Sequence, residues 1–499
     1  MPIESTNNSR QAAWVAIGSF FSFLVGIISP MVLARYFDKA DYGTYKQVMY
    51  VYNTLLSVFT LGLPKAYAYF LPKYATRYSK DIINKITSIF TVLGLVFSVV
   101  LFAGSGLIAS FLNNPDLKKA LMIFAPTPLF LLPTMGLDGI FASFRQTKYL
   151  ALYTVLTRLL TIICIILPVI LFDGNYIHAI IGFDIASLLT CLIALSIRTL
   201  PIRHEPCEKS DLSYRSIFDF SLPLFYASMW GMIISSANQF FISRYYGAEV
   251  FADFSNGFME IPFVGMVIGA VGTVLLPVFS EMDSGNGMNS NAMQLWNSAM
   301  IKSAKIIFPM LVYGVFFAKV LMTCMYGDNY SQSTIYFQIK NISSLLYIIP
   351  FAPIILAIGK TKQYANVHMI IAFIIVIAEY LVVKTLDSAV YVAVVSEICQ
   401  ALKIYLLMKI ISKYAVKSVF ELIPFRQLAI VLFASVISGA ISIIVAEFIA
   451  VNKFVILIAG FMIYLLIYYC LCRLFKISYN EMLGSLLKNH KCFLLRLLP

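Results

Sequence analysis

Five ionisable side chains lie near the middle of long apolar segments: Arg158, Asp184, Glu260, Lys340 and Glu397. A charged residue at the centre of a bilayer costs about 2.5 to 3.5 kcal/mol on insertion scales, so each should face a partner or water. Because all five are expected at nearly the same depth, they indicate a polar path through a membrane protein. They do not form the clustered acid–base set that a membrane enzyme would need.

Further charges lie nearer the ends of the apolar segments. They are Lys65, Asp138, Asp219, Lys302 and Lys305 towards the predicted cytoplasmic side, and Arg35, Arg244, Lys319 and Glu379 towards the outside. Cations exceed anions within the segments, so some of the positive charges must be neutralised by a group that is not protein. An anionic substrate in a water-filled cleft would explain this surplus. For any single residue, an internal ion pair or a side chain that reaches the headgroups is an equally good interpretation. Arg158 and Asp184, within about 7 Å of each other in depth at about 1.5 Å per residue, can simply pair.

The elements that position these charges must be membrane helices. Of the 499 residues, 60% are hydrophobic and 12% charged, and the mean hydropathy is +0.85, values far from those of soluble domains. Apolar runs of about 20 residues, each able to cross a ~30 Å hydrocarbon core, recur along the whole chain. The sequence predicts an all-α polytopic membrane protein with fourteen spans. Their limits are 11–36, 45–71, 86–112, 119–144, 149–172, 176–198, 217–245, 250–280, 298–325, 332–358, 363–384, 388–411, 427–450 and 453–474.

The distribution of Lys and Arg predicts the orientation of these spans. Alternate loops are rich in cations, such as residues 73–85, 198–215 and 409–426, whereas "FDGNY" and "GDNYSQ" on the opposite side contain none. Cationic loops are retained in the cytoplasm, so both termini should be cytoplasmic. The net charge of +13 then reflects orientation and contact with anionic headgroups rather than nucleic-acid binding.

Two stretches resemble one another and indicate an internal repeat. "LARYFDKADYGTYKQVMYV" begins at Leu33 and "ISRYYGAEVFADFSNGFMEI" at Ile242, and Arg35 matches Arg244 at the same offset as the aromatic positions around them. They follow the first and seventh spans, which predicts two six-helix lobes related by a pseudo-twofold axis along the membrane normal.

The repeat and the polar inserts predict the domain limits. The expected parts are an N-lobe at 1–200, a cytoplasmic linker at 201–216, a C-lobe at 217–417, an additional helix pair at 418–476 and a cytoplasmic amphipathic tail at 477–499. In the tail, Ser478 and Glu481 have the spacing of a capping box, and Met482, Leu483, Leu486 and Leu487 share one helical face.

No motif for a cofactor is found in the sequence. "AIGKTK" is not a phosphate loop, because a Walker motif needs Gly five residues before Gly359 and Ile354 is there instead. The four His residues are scattered without metal-ligand spacing, and the eight Cys residues form no disulfide framework. We therefore expect no ATP site, metal or other cofactor, apart from coupling to H+ or Na+.

Five motifs occur in a fixed order along the chain: "LARYFDKADYGTY", "DFSLPLFYASMW", "NQFFISRYYGAEVFADFS", "MYGDNY" and "AIGKTKQY". As an ordered set they resemble polysaccharide flippases of the multidrug/oligosaccharidyl-lipid/polysaccharide exporter superfamily, which move O-antigen, capsule or teichuronic repeat units. The resemblance implies a V-shaped, cation-lined cavity that opens alternately to each side of the bacterial cytoplasmic membrane. The implied cargo is an undecaprenyl-pyrophosphate-linked oligosaccharide whose lipid tail stays in the membrane.

The resemblance also suggests roles for the charged residues. The substrate-binding set is Arg35, Lys65, Arg158, Arg244, Lys302 and Lys340, since guanidinium and ammonium groups can replace part of the hydration of a diphosphate. The gating and ion-coupling set is Asp38, Asp41, Asp184, Asn238, Glu260 and Glu397. Arg35 and Arg244 would hold the outer rim of the cavity shut against nearby acids. Relatives often carry Asp at the position of Asn238, which cannot ionise.

Other functions remain open at this stage. The implied partners are membrane lipids, a polysaccharide polymerase and glycosyltransferases, with no nucleic acid. A lipid II flippase for peptidoglycan has a closely similar fold. A small-molecule multidrug antiporter of the same superfamily would usually have twelve spans and a more acidic, aromatic cavity.

Overall fold

The computed structural model describes residues 5–282, 290–449 and 452–479. In these ranges the regular structure is entirely helical, which confirms the all-α class. The chain divides into two compact units, Met1–Ala252 and Asp253–Pro499. The lobe limits expected from the repeat, at 200 and 217, stay a prediction.

The first unit contains nine helices and most of a tenth. They are α1 (Ser5–Tyr36), α2 (Lys39–Phe59), α3 (Pro64–Phe70), α4 (Ser79–Phe111), α5 (Asp116–Phe124), α6 (Thr127–Leu131), α7 (Leu137–Ser143), α8 (Thr147–Leu171), α9 (Tyr176–Ile197) and α10 (Tyr214–Gly257). Helix α10 is kinked at Gly247, whose φ of +81° favours a residue without Cβ. The last residues of α10 belong to the second unit.

Over its described residues the second unit continues with nine further helices. They are α11 (Pro262–Met282), α12 (Ser290–Phe316), α13 (Ala318–Tyr326), α14 (Ser333–Ser343), α15 (Phe351–Ala357), α16 (Thr361–Thr385), α17 (Ala389–Ala415), α18 (Phe425–Ile449) and α19 (Lys453–Leu474). Helices α18 and α19 pack against each other and against α12 and α13. At this contact a Cβ on Gly460 would lie 2.4 Å from the Phe317 ring, so glycine permits the close approach.

Twelve helical segments of the described chain are long and apolar enough to cross a membrane, or thirteen if the bent pair Ser333–Ile348 and Phe351–Ala357 forms one span. The protein is therefore a multi-pass membrane protein. The apolar part of α1 is the shorter segment Phe21–Tyr36. The expected total of fourteen spans, which counts α1 as the first, is not confirmed by these lengths and stays a prediction.

The cytoplasmic linker predicted from the sequence is fastened to the first turns of α4. Lys80 donates from Nζ to the carbonyls of Arg203, at 3.0 Å, and Glu205, at 2.6 Å. Lys85 pairs with Asp81 at 2.8 Å, and the main-chain nitrogen of Ser210 donates to Asp81 at 2.9 Å. These contacts join the linker to α4. Most of the predicted amphipathic tail, from residue 480, lies outside the described residues.

Candidate functional site

Helices α2 and α10 meet at a buried hydrogen-bond network of Thr44, Gln47, Asn114 and Ser243. Asn114 Nδ2 donates to Gln47 Oε1 at 2.6 Å and lies 2.9 Å from Thr44 Oγ1. Gln47 Nε2 donates to Ser243 Oγ at 2.8 Å. All four residues are buried. A Cβ on Gly43 would lie 2.1 Å from the Ala248 carbonyl oxygen, so the two backbones touch here.

Arg244 lies next to this network on α10. Its guanidinium donates to the carbonyl of Phe111 at the end of α4, and its central carbon lies 5.9 Å from the Phe111 ring and 5.7 Å from the Tyr245 ring. Within the described residues no carboxylate forms a salt bridge with Arg244. A main-chain carbonyl thus contacts the Arg244 guanidinium, and the role of Arg244 in holding the rim shut against nearby acids stays a prediction.

The acidic residues predicted at the rim have local roles in starting α2. Asp38 is the N-cap and accepts a hydrogen bond from the Asp41 nitrogen at 2.7 Å. Asp41 lies in the first turn, where a negative charge favours the helix dipole. Arg35, which matches Arg244 in the internal repeat, is exposed in the last turn of α1. Arg35, Asp38 and Asp41 thus lie at the turn between α1 and α2, and their role at the rim of a cavity stays a prediction.

A cavity of about 510 Å³ lies inside the first unit. Helices α2, α8 and α9 and the segment 131–138 form its walls. Its polar lining consists of Tyr52, Asn53, Thr134, Asp138, Tyr153, Thr154, Thr157, Arg158, Thr161, Ser187 and Thr190. Eight of these side chains carry hydroxyls. The volume falls within the ~300 to 1,000 Å³ typical of ligand sites.

Arg158 is the cation of this cavity. Its side chain is exposed, and within the described chain no carboxylate lies at salt-bridge distance. Asp184, its expected partner on α9, instead accepts a hydrogen bond from the Thr127 hydroxyl. The alternative in which Arg158 and Asp184 pair is therefore not realised. A guanidinium at mid-span faces polar space and is available to a ligand.

In the second unit Lys340 has an internal carboxylate partner. Its Nζ lies 2.9 Å from Glu397 Oε1 and donates to the Tyr347 hydroxyl at 3.0 Å. Ser343 donates to the other oxygen of Glu397. Glu260 is close enough to interact electrostatically with both members of the pair. Lys340 thus adds little to the surplus positive charge on which its predicted role rests.

The remaining predicted site residues are less closely connected. Lys65 is exposed in the first turn of α3, Lys302 is half-buried on α12, and Asn238 is buried on α10. Neither lysine forms a salt bridge with the described residues. The sequence reasoning missed the hydroxyls of the cavity. Thr154, Thr157 and Thr161 recur at helical spacing beside Arg158, a pattern that could have revealed this polar face.

Solved structures with the same architecture are transport proteins of one superfamily. "Lipid II flippase MurJ, inward closed conformation" has a TM-score of 0.72 and 16% identity, covering 94% of this chain and 99% of that one. An inward-facing multidrug resistance MATE transporter has a TM-score of 0.63 and 11% identity, covering 82% and 99%. A superfamily transporter from Pyrococcus furiosus has a TM-score of 0.55 and 12% identity, covering 83% and 96%. The chain therefore has the fold of the multidrug/oligosaccharidyl-lipid/polysaccharide exporters.

A sequence family narrows this class further. The family model described as "Polysaccharide biosynthesis protein" matches residues 9–283, more than half of the chain. The protein belongs to this polysaccharide biosynthesis family. No curated protein gives a significant match to the chain.

Proposed function

We propose that this protein is a flippase that moves an undecaprenyl-pyrophosphate-linked oligosaccharide repeat unit from the inner to the outer leaflet of the bacterial cytoplasmic membrane. The family and the fold support a flippase of polysaccharide biosynthesis. The single observation that carries an oligosaccharide-bearing cargo is the hydroxyl-lined cavity of the first unit, in which Arg158 has no carboxylate partner in the described chain.

The physical reason is the cost of moving a polar headgroup through hydrocarbon. A diphosphate and its sugars cannot leave water unless fixed polar groups replace their hydration. Guanidinium groups form short, charge-assisted hydrogen bonds with phosphate oxygens. In the proposed mechanism Arg35 and Arg244 bind the diphosphate, Lys65 and Lys302 contribute positive potential, and the lipid tail stays in the bilayer.

Alternating access requires contacts that can break. The α2–α10 network and the bond from Arg244 to the Phe111 carbonyl are candidates, because they join neighbouring helices through side chains. The kink at Gly247 provides a position where α10 can bend.

Coupling to H+ or Na+ would use Asp184, Glu260 or Glu397, and no ATP is required. In this proposal both termini are cytoplasmic, and glycosyltransferases and a polymerase act before and after the flippase.

A lipid II flippase is the second candidate, and the fold match to MurJ favours it. The two cargoes share an undecaprenyl diphosphate, so the cationic residues do not separate them. The consequence of losing the protein does: depletion of an essential peptidoglycan flippase lyses cells, whereas loss of a repeat-unit flippase removes a surface polymer.

The test is complementation of a strain that lacks the protein. We expect loss of surface polysaccharide without lysis, restored by the wild type but not by the double variant Arg35→Ala/Arg244→Ala at equal membrane abundance. A double Arg→Lys variant should restore part of the polymer, since it keeps the charge. Full complementation by the double Ala variant, or intact polymer in the deletion strain, would contradict the proposal.

A further inference from the structure

The hydroxyls that line the cavity of the first unit are oriented by the main chain. Thr154, Thr157 and Thr161 each donate at 2.8 Å to a carbonyl four residues earlier on α8. Thr134 donates to the Leu131 carbonyl and Ser187 to the Phe183 carbonyl, both at 2.7 Å. A hydroxyl has one proton and two acceptor lone pairs. Because these protons are already committed, the five oxygens present acceptors to the cavity.

The donors of the cavity come from a different group. Arg158 carries five N–H donors in a planar fork and no acceptor. The Tyr52 hydroxyl is buried and has no hydrogen-bond partner in the described part of the chain. A buried hydroxyl without a hydrogen-bond partner is costly, so a ligand that formed a hydrogen bond with the Tyr52 hydroxyl would recover that free energy. Five hydroxyl oxygens thus form an acceptor wall, and Arg158 and Tyr52 supply donors. The lining also contains the Asn53 amide, the Tyr153 and Thr190 hydroxyls and the Asp138 carboxylate.

This distribution favours neither a diphosphate nor a metal cation as the occupant of the cavity. A diphosphate has only acceptor oxygens when ionised, so it could bond to Arg158 but would face the acceptor wall without a gain. Hydroxyl oxygens and the Asp138 carboxylate could coordinate a metal cation, but the Arg158 guanidinium in the same cavity would repel it. Carbohydrate hydroxyls donate and accept at once, and they match both parts of the lining.

We propose that this cavity is the carbohydrate subsite of the flippase, occupied by the sugar part of the cargo while the diphosphate stays outside it at Arg35 and Arg244. The inference rests on the proposed function. It places the sugar of the cargo in the cavity and the diphosphate at Arg35 and Arg244. The threonine face of α8 binds sugar hydroxyls, and Arg158 binds an acceptor group of the same sugar. The cavity of about 510 Å³ has room for a small saccharide.

The test compares two probes on the full-length protein in lipid nanodiscs. The probes are methyl glycosides of the sugars in the surface polymer of the cell, followed by saturation-transfer ¹H NMR, and inorganic pyrophosphate, which has no carbon-bound protons and is followed by ³¹P line broadening. Thr157→Val/Thr161→Val removes two acceptors with little change in volume. We expect glycoside affinity to fall about three- to tenfold per lost hydrogen bond, with pyrophosphate binding unchanged. Arg35→Ala/Arg244→Ala should give the opposite pattern.

A matched control is available in the second unit. Thr323 on α13 is buried to a similar extent as Thr157 and donates in the same way to the Lys319 carbonyl at 2.9 Å. Thr323→Val should leave both probes unaffected. Equal glycoside affinity in the wild type and in Thr157→Val/Thr161→Val, or an equal loss for pyrophosphate, would overturn the inference.

The outcomes for the two proposals are distinguishable. If the deletion strain loses its polymer but the threonine variants bind glycosides normally, the carbohydrate subsite is wrong and the flippase proposal stands. If the deletion strain keeps its polymer, the flippase proposal fails whatever the glycoside measurements give. If sodium ions compete with the glycosides on the wild type, the cavity binds a cation and the subsite is refuted.

Discussion

The ion pair between Lys340 and Glu397 provides a direct test of which cations serve transport. Only 14% of the Lys340 side chain and 6% of the Glu397 side chain are exposed. Removing one member of a buried pair leaves the other charge without compensation, at a cost of about 3 to 5 kcal/mol. We expect Lys340→Met and Glu397→Gln each to destabilise the protein by about this amount.

The double variant separates a structural pair from a substrate site. Replacing a buried pair by apolar residues of similar volume is often neutral or stabilising. Lys340→Met/Glu397→Met should therefore regain most of the stability that each single variant loses. If Lys340 only compensates Glu397, the double variant should also restore polysaccharide export; if Lys340 binds the cargo, the double variant should fold but remain inactive.

The assay is the midpoint of thermal unfolding in nanodiscs, measured beside surface-polymer complementation. At the size of each unit, a loss of 3 to 5 kcal/mol corresponds to a midpoint lower by roughly 6 to 20 °C. Lys409→Met, on the exposed side of α17, is the control and should leave the midpoint unchanged. The reasoning is refuted if Lys340→Met is as stable as the wild type, or if the double variant is no more stable than the single ones.

Three further predictions concern the first unit. Tyr52→Phe should raise the unfolding midpoint without ligand, because a buried hydroxyl without a described partner is removed, and should weaken glycoside binding in the NMR assay. Gly43→Val should force α2 and α10 apart and speed maleimide labelling of a cysteine introduced at Ser243, whereas Gly26→Val, with open space around it, should not. Asp81→Ala should release the linker and accelerate tryptic cleavage at Lys209, with unchanged cleavage as the contradicting result.

The all-helical class and the apolar character of the segments could be predicted from the sequence, because hydropathy and residue count determine both. The breaks inside predicted spans, such as the one between α2 and α3 or between α12 and α13, could not. The sequence could also have predicted that Asp38 caps α2, because Asp is a preferred N-cap residue and an acidic residue, Asp41, lies in the first turn. The partners of the charges could not be predicted. Lys340 and Glu397 lie on α14 and α17, and only the packing of those helices shows that they face each other.

Depth alone misled the interpretation of Asp184. It lies at nearly the depth of Arg158 on the neighbouring span, which made an ion pair reasonable, but rotation about the helix axis decides what a side chain faces. In the structure Asp184 faces Thr127 and Arg158 faces the cavity. A sequence gives the position of a residue along a helix far better than its direction relative to helices that are distant in the chain.

The structure also changes which cations can serve a cargo. Lys340 is compensated by Glu397, and Arg244 is bonded to a carbonyl that does not cancel its charge. Arg158 lines the same cavity as hydroxyls whose protons are already donated elsewhere. Positive charge is therefore accompanied by different neighbours at different places: a main-chain carbonyl and aromatic rings around Arg244, and acceptor oxygens around Arg158. A cargo that carries a diphosphate at one end and sugar hydroxyls at the other can use both environments at once, which a simple anion cannot do.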